Sequence, residues 1–111
     1  MQSLKRGEVW WVAFDPSVGG EIRKTRPAVI ISNNAANAVL NRLVVVPLTS
    51  RTERVYPSEV LVQVEGREAK AMANQITTAA RERLKNQIGV LSSTDLRAVE
   101  DAILLHLGIR R

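Results

Sequence analysis

This sequence offers few types of side chain that could take part in catalysis or bind a metal. Its 111 residues include no cysteine and a single histidine, His106. The absence of cysteine excludes disulfides, thiolate metal sites and cysteine nucleophiles. One histidine excludes a two-histidine nuclease site and an H-E-x-x-H zinc site, and it makes a Ser-His-Asp triad hard to build. The remaining chemistry rests on arginines, hydroxyls and carboxylates, and we expect His106 to have a structural role.

Arg26 and Thr49 each lie at the end of an apolar segment, where such chemistry is possible. A guanidinium offers a planar set of donors that suits phosphate oxygens. A threonine that closes a buried strand can present its hydroxyl at the rim of a pocket. Each residue also has a plainer interpretation, because Arg26 could close a salt bridge at a strand start and Thr49 suits a strand as a β-branched residue. Residue type alone leaves both alternatives open.

Short apolar segments predict the strands that must position these residues. We predict strands at Glu8–Phe14, 26–33, 43–50, 60–64, 71–77 and 87–91, with a short helix or turn at 34–41. Trp10 and Trp11 point to opposite faces of the first strand, and a position in the middle of a strand favours core or dimer interface over base stacking for both. Two polar loops are predicted: residues 15–25 connect the first strand to the second, and residues 50–57 connect the third strand to the fourth.

A helix closes the chain. Residues 92–95 (SSTD) supply N-cap oxygens and a first-turn carboxylate, and Gly108 suits a C-cap. Apolar residues recur between them at helical spacing, at Leu96, Val99, Ile103 and Leu107. Sequential strands with short connections favour antiparallel pairing. We therefore predict a mainly β fold with a C-terminal helix, a small open barrel of SH3-like kind, in a single domain that spans residues 1–111.

Charge and hydropathy bear on partners and compartment. The formal net charge of +5 is mild support for a polyanionic partner. The longest apolar runs are too short to span a bilayer, and residues 1–4 are followed by charge rather than by a signal-peptide core. We expect the protein to be cytoplasmic.

Five motifs in a fixed order resemble those of the MazF/PemK toxin family. They are 6–16 (RGEVWWVAFDP), 19–21 (GGE), 26–33 (RPAVIISN), 46–50 (VPLTS) and 75–79 (QITTA), and the closing helix follows them. The resemblance covers nearly the whole chain. One departure lies in the second loop, where the family usually has an aromatic residue after Tyr-Pro and this chain has Ser58.

The resemblance implies an SH3-like barrel that forms a homodimer. It also implies the toxin of a type II toxin–antitoxin system, a sequence-specific endoribonuclease that inhibits translation and growth and is itself inhibited by a cognate antitoxin. Single-stranded RNA supplies its own nucleophile, since the 2′-OH can attack the adjacent phosphate to give 2′,3′-cyclic phosphate and 5′-OH ends. Such cleavage requires no metal or cofactor, and we expect none.

The same resemblance favours the catalytic interpretation of Arg26 and Thr49. We prefer charge stabilisation for Arg26, because an arginine in a protein is effectively always protonated and is a poor base. Glu21 is the carboxylate nearest in sequence to Arg26 and is the third catalytic candidate. The candidates for binding RNA are Arg23, Lys24, Ser50 and Arg51, which would guide the backbone, and Gln75, which would bind a base edge.

Two other functions remain open at this stage. A CcdB-like toxin of the same fold would poison DNA gyrase through a protein contact, and the ending Leu107-Gly108-Ile109 loosely resembles that group. A plain SH3-like module would bind peptide or nucleic acid, and it would have no use for Arg26 and Thr49 together.

Overall fold

The computed structural model describes residues 3–14 and 24–110. Glu21 and Arg23 lie outside these residues, and Lys24 is placed by its backbone alone. Within the described ranges the chain forms seven strands, two α-helices and two 3-10 turns. The strands are β1 (Glu8–Phe14), β2 (Lys24–Ile30), β3 (Arg42–Thr49), β4 (Glu59–Val64), β5 (Arg67–Met72), β6 (Thr77–Ala80) and β7 (Leu84–Val90); the helices are α1 (Asn34–Val39) and α2 (Ser93–Leu107); the 3-10 turns are Ala73–Gln75 and Arg81–Arg83.

The strands pair antiparallel in the order β4-β5-β3-β2-β1-β7, and β6 also pairs with β3. Within the described residues the sheet does not close on itself, so the predicted class, an open and mainly β barrel with a C-terminal helix, is confirmed. Strand β3 is shared by the two halves of the barrel. On the side away from β2, it pairs first with β6, from Arg42 to Val45, and then with β5, at Leu48 and Thr49.

The change of partner along β3 corrects one predicted strand. The predicted strand 71–77 is not one strand, because β5 ends at Met72 and the chain makes a 3-10 turn before β6 begins at Thr77. The turn is closed by a hydrogen bond from the Ile76 N–H to the Ala73 carbonyl. Pro47, which lacks an N–H, lies in the gap between the two partners. On the side of β3 away from β2 no partner is recorded at Pro47, so the missing N–H costs no ladder hydrogen bond on that side.

Other strand ends differ from their predictions by a few residues. Strand β2 begins at Lys24, so the end of the predicted first loop is already strand, and it stops at Ile30. Strand β7 covers Leu84–Val90, earlier than the predicted 87–91. The rest of the first loop, residues 15–23, falls outside the described residues.

Alternating side chains of β1, β2 and β3 build two cores on opposite faces of the sheet. One contains Trp10, Val12 and Ile30, and the other contains Val9, Val29 and residues of α2. Trp10 is 3% exposed and Trp11 is 41% exposed, so the prediction that they lie on opposite faces is confirmed. The exposed face of Trp11 lies on the side of the second core.

Helix α2 has the predicted ends. The Ser92 hydroxyl accepts a hydrogen bond from the Asp95 N–H, and Gly108 closes the helix in the left-handed conformation at φ 71°. The Asp95 carboxylate also accepts the Gln63 N–H at 2.9 Å, which attaches the start of α2 to β4. Neither helix in the described part of the chain is long and apolar enough to cross a membrane.

Candidate active site

Arg26 lies in β2 opposite Val12 of β1. Its position is therefore fixed by the backbone ladder between two interior strands. The side chain is half-buried and shares a sheet face with Ala28 and Ile30, which belong to the first core. Among the described residues, no carboxylate pairs with the Arg26 guanidinium and no hydrogen bond engages it. The salt bridge that would make Arg26 purely structural is not found in that part of the chain.

Thr49 is the last residue of β3, directly opposite Lys70 of β5. It is half-buried, and its hydroxyl oxygen accepts a hydrogen bond from the Arg51 N–H at 3.2 Å. A hydroxyl that accepts through its oxygen still has its own proton to donate. The strand end therefore presents an oriented hydroxyl at the start of the second loop.

Arg26 and Thr49 lie at the same end of neighbouring strands. The ladder between β2 and β3 is recorded up to Ala28 opposite Pro47. Continuing that register by two residues would put Arg26 across from Thr49, but the recorded ladder between β2 and β3 stops at Ala28 and Pro47. The two candidates thus flank the place where the paired strands part.

A groove of about 340 Å³ lies beside Thr49. Trp11, Pro27 and Leu48 provide apolar surface in it, and Thr49 and Ser50 contribute hydroxyls. The remaining lining comes from β7 and from the hairpin of β4 and β5, namely Val64, Glu65, Arg67, Glu68, Ala69 and Ile88. The exposed face of Trp11 therefore belongs to a depression next to a candidate catalytic residue.

The remaining predicted RNA-binding residues are placed less closely together. Ser50 and Arg51 are exposed in the second loop, directly after Thr49. Gln75 is exposed in the 3-10 turn between β5 and β6, where its amide contacts the Met72 sulfur at 3.6 Å. No hydrogen bond in the described residues joins Gln75 to Arg26 or Thr49. Lys24 pairs with Phe14 through the backbone, at the start of β2.

Sequence reasoning missed two charged residues at the base of the second loop. Glu59 and Lys70 form a buried ion pair at 3.1 Å, with side chains that are 6% and 11% exposed. The pKa of Glu59 is lowered, first because its carboxylate accepts the Tyr56 backbone N–H and also because Lys70 donates to it, while burial acts in the opposite direction. Lys70 was missed because residue 70 lay outside the predicted strand 71–77. Its place among Ala69, Ala71 and Met72 was the available signal.

Comparison with known proteins identifies the family and the fold of this chain. Residues 5–107 match the family model described as PemK-like, MazF-like toxin of type II toxin–antitoxin system. The chain is 41% identical to Endoribonuclease MazF9 of Mycobacterium tuberculosis over 115 aligned residues, which cover 96% of this chain and 98% of that protein.

Solved structures match at the level of the fold. The crystal structure of MazF from Deinococcus radiodurans superposes with a TM-score of 0.83 at 27% identity and covers 98% of this chain and 100% of that one. A mycobacterial endoribonuclease in complex with its cognate antitoxin superposes with a TM-score of 0.80 at 25% identity, covering 97% of this chain and 98% of that one. Because the family model matches residues 5–107 of this chain, the chain belongs to the PemK-like, MazF-like toxins of type II toxin–antitoxin systems.

Proposed function

We propose that this toxin is an endoribonuclease that cuts single-stranded RNA without a metal and leaves 2′,3′-cyclic phosphate and 5′-OH ends. The observation that carries the proposal is the half-buried Arg26 guanidinium. Within the described residues it has no ion pair, and it lies near the strand end that presents the Thr49 hydroxyl. The 41% identity to an endoribonuclease over nearly the full chain supports the same activity.

The proposed reaction forms a bond between the 2′-oxygen and phosphorus and breaks the bond between phosphorus and the 5′-oxygen. The 2′-OH loses its proton to a general base, and the departing 5′-oxygen gains one. Arg26 stabilises the added negative charge on the phosphorane by donating to its oxygens. Thr49 orients the leaving oxygen or donates a proton to it. Arginine stays protonated, so the base is another group, and we propose Glu21.

Around this centre, the RNA backbone would follow the basic and hydroxyl side chains near the two loops. We propose that Arg23, Lys24, Ser50 and Arg51 guide its phosphates and that Gln75 binds a base edge. The net charge of +5 favours such a polyanion. The cytoplasm, where these RNA substrates are found, is the proposed site of action, and loss of translation and growth is the proposed outcome.

The test is to incubate the purified protein with single-stranded RNA in EDTA and to sequence the ends produced. Cleavage should continue in EDTA, and an all-deoxy strand of the same sequence should survive because it lacks the 2′-OH. Activity abolished by EDTA, or cleavage of the deoxy strand, would refute the proposal. A gyrase poison of CcdB type would leave the RNA intact in every tube.

We also propose that the toxin works as a homodimer. Large apolar side chains on the surface, among them Trp11 and Leu107, leave hydrophobic area that a second copy can cover, and two-fold dimers are the commonest oligomers. Sedimentation at micromolar concentration should therefore give twice the mass of the chain. A monomer under those conditions would contradict this part of the proposal.

A cognate antitoxin is the remaining proposed partner. A similar mycobacterial endoribonuclease has been solved with its antitoxin. We propose that an acidic antitoxin tail orders on the basic loops and occupies the path of the RNA. Titrating that tail against an uncleavable RNA should release the RNA, and more salt should weaken binding of the tail. Simultaneous binding of both at saturation would disprove a shared path.

A further inference from the structure

Lys70 occupies an interior position that is unusual for a lysine. It lies in β5, paired through the backbone with Thr49 of β3 on one side and with Leu61 of β4 on the other. Its side chain is only 11% exposed. Lysine is rarely buried without partners, because the ammonium loses its hydration. The contacts of this ammonium therefore show what keeps it inside.

Both contacts of the ammonium are made with the segment that begins at Thr49. It donates to the Arg54 backbone carbonyl at 2.9 Å and lies 3.1 Å from the Glu59 carboxylate. The same Glu59 oxygen accepts the Tyr56 N–H at 2.9 Å, and the Glu59 N–H donates to the Tyr56 carbonyl. Lys70 thus contacts the middle of the second loop directly, and Glu59 fixes its far end.

The near end of the loop is held by the backbone of the same residue. Thr49, where the loop begins, is the ladder partner of Lys70. One residue of β5 therefore defines where the loop leaves the sheet, through its backbone. Through its side chain it also defines where the loop turns and where it returns.

We propose that Lys70 is a positioning residue for RNA cleavage. By fixing residues 50–58, it holds the Thr49 hydroxyl, and with it Arg51, in the orientation that meets the scissile phosphate. The inference rests on the proposed function, since it assigns Lys70 a part in that reaction. Lys70 does not contact the RNA itself in this proposal, because its ammonium is engaged by the Arg54 carbonyl and the Glu59 carboxylate.

A lysine that served stability alone would leave the catalytic rate of the folded enzyme unchanged. A positioning lysine alters the rate even when the protein is fully folded, because small displacements of a catalytic group slow the reaction steeply. A lysine that bound phosphate directly would act on KM and would lose its effect as salt rises. The three roles therefore differ in kcat, in KM and in salt dependence.

The experiment compares Lys70→Met with Lys5→Met. Both variants lose one positive charge, but Lys5 is exposed, precedes β1 and makes none of the second-loop contacts. At a temperature well below unfolding, Lys70→Met should lose about tenfold or more in kcat with a smaller change in KM. Lys5→Met should cleave at the wild-type rate. In hydrogen exchange, the amides of Tyr56 and Glu59 should exchange faster in Lys70→Met, while those of β1 stay protected.

Lys70→Met leaves the buried Glu59 without its partner, which by itself can unfold a protein. The double variant Glu59→Gln/Lys70→Met removes both charges, and the glutamine oxygen can still accept the Tyr56 N–H. If this double variant is folded and matches the wild type in kcat and in exchange, the inference is overturned. If the wild type fails to cleave RNA, the proposed function falls together with the catalytic part of the inference. The exchange rates would then still decide whether Lys70 fixes the loop.

Discussion

Arg26 and Thr49 lie at the same end of the sheet, but they are held there in different ways. Arg26 lies within the ladder between β1 and β2, so backbone hydrogen bonds on an interior strand fix its Cα. Thr49 is the last residue of β3, and the loop that follows it is held by the side chains of Lys70 and Glu59.

Because of this difference, the positions of Arg26 and Thr49 should respond differently to substitutions of neighbouring side chains. A ladder is built from backbone groups that every residue except proline carries, so most side-chain substitutions near Arg26 leave its position intact. In the described part of the chain, the loop after Thr49 is held by the Glu59–Lys70 ion pair and a few hydrogen bonds, so single substitutions or protonation of Glu59 can release it. We therefore expect activity to depend on the Arg26 side chain itself, and on the surroundings of Thr49 as much as on its hydroxyl.

Replacing Arg26 should have the largest effect. Arg26→Ala should reduce the cleavage rate by about two orders of magnitude or more, the scale for losing one donor to the transition state. Arg26→Lys should recover only part, because a point charge does not replace the planar fork. The melting temperature should stay close to that of the wild type, and Arg42→Ala, an exposed change at the other end of β3, is the matched control. A folded Arg26→Ala protein with near-native cleavage would show that the phosphate is bound elsewhere.

A smaller effect is expected at Thr49. Thr49→Val keeps the branched shape but removes the hydroxyl, and it should slow cleavage about tenfold, on the scale of one hydrogen bond. Thr49→Ser keeps the hydroxyl and should remain active. Rates measured at saturating RNA would test this order. Equal rates for the valine and serine variants would mean that shape, and not the hydroxyl, is required at the strand end.

The smallest effect concerns the pH dependence of stability through Glu59. Its pKa is lowered in the folded protein, chiefly by the hydrogen bond from the Tyr56 N–H, so folding favours the charged carboxylate. That contribution is complete above the unfolded pKa of about 4.3, and it is lost as the pH falls through the lower folded value.

Urea unfolding of the wild type and of Glu59→Gln, each at pH 7 and near pH 3, measures that contribution. The free energy of unfolding should fall more steeply with acid in the wild type. Glu68→Gln, an exposed change on the same hairpin, should follow the wild type. Parallel curves for the wild type and Glu59→Gln would show that the loop base is not sensitive to this proton.

The features that were predicted correctly from the sequence are those that depend on residues close together in the chain. The bounds of β1, the Ser92 cap and the Gly108 end of α2 depend on residues within a few positions of each other, and they are confirmed. The Lys70 contacts depend on which strand pairs with β3, and no pattern of neighbouring residues predicts that pairing. The strand predicted at 71–77 was wrong for the same reason, because β3 has two partners on one side. The catalytic roles of Arg26 and Thr49 remain predictions.

Ser58 directly follows the second loop and precedes β4. The Ser58 hydroxyl lies 3.0 Å from the Nδ1 atom of His106, in the last turn of α2. Because His106 is the only imidazole in the chain, its ring protons give one pair of NMR signals that needs no isotope label and no assignment by mutation. Any movement of the loop end changes the surroundings of that ring, so the unmodified toxin contains its own reporter of loop position. A titration with RNA would then show, from one resonance, whether the loop is already in place before the substrate arrives.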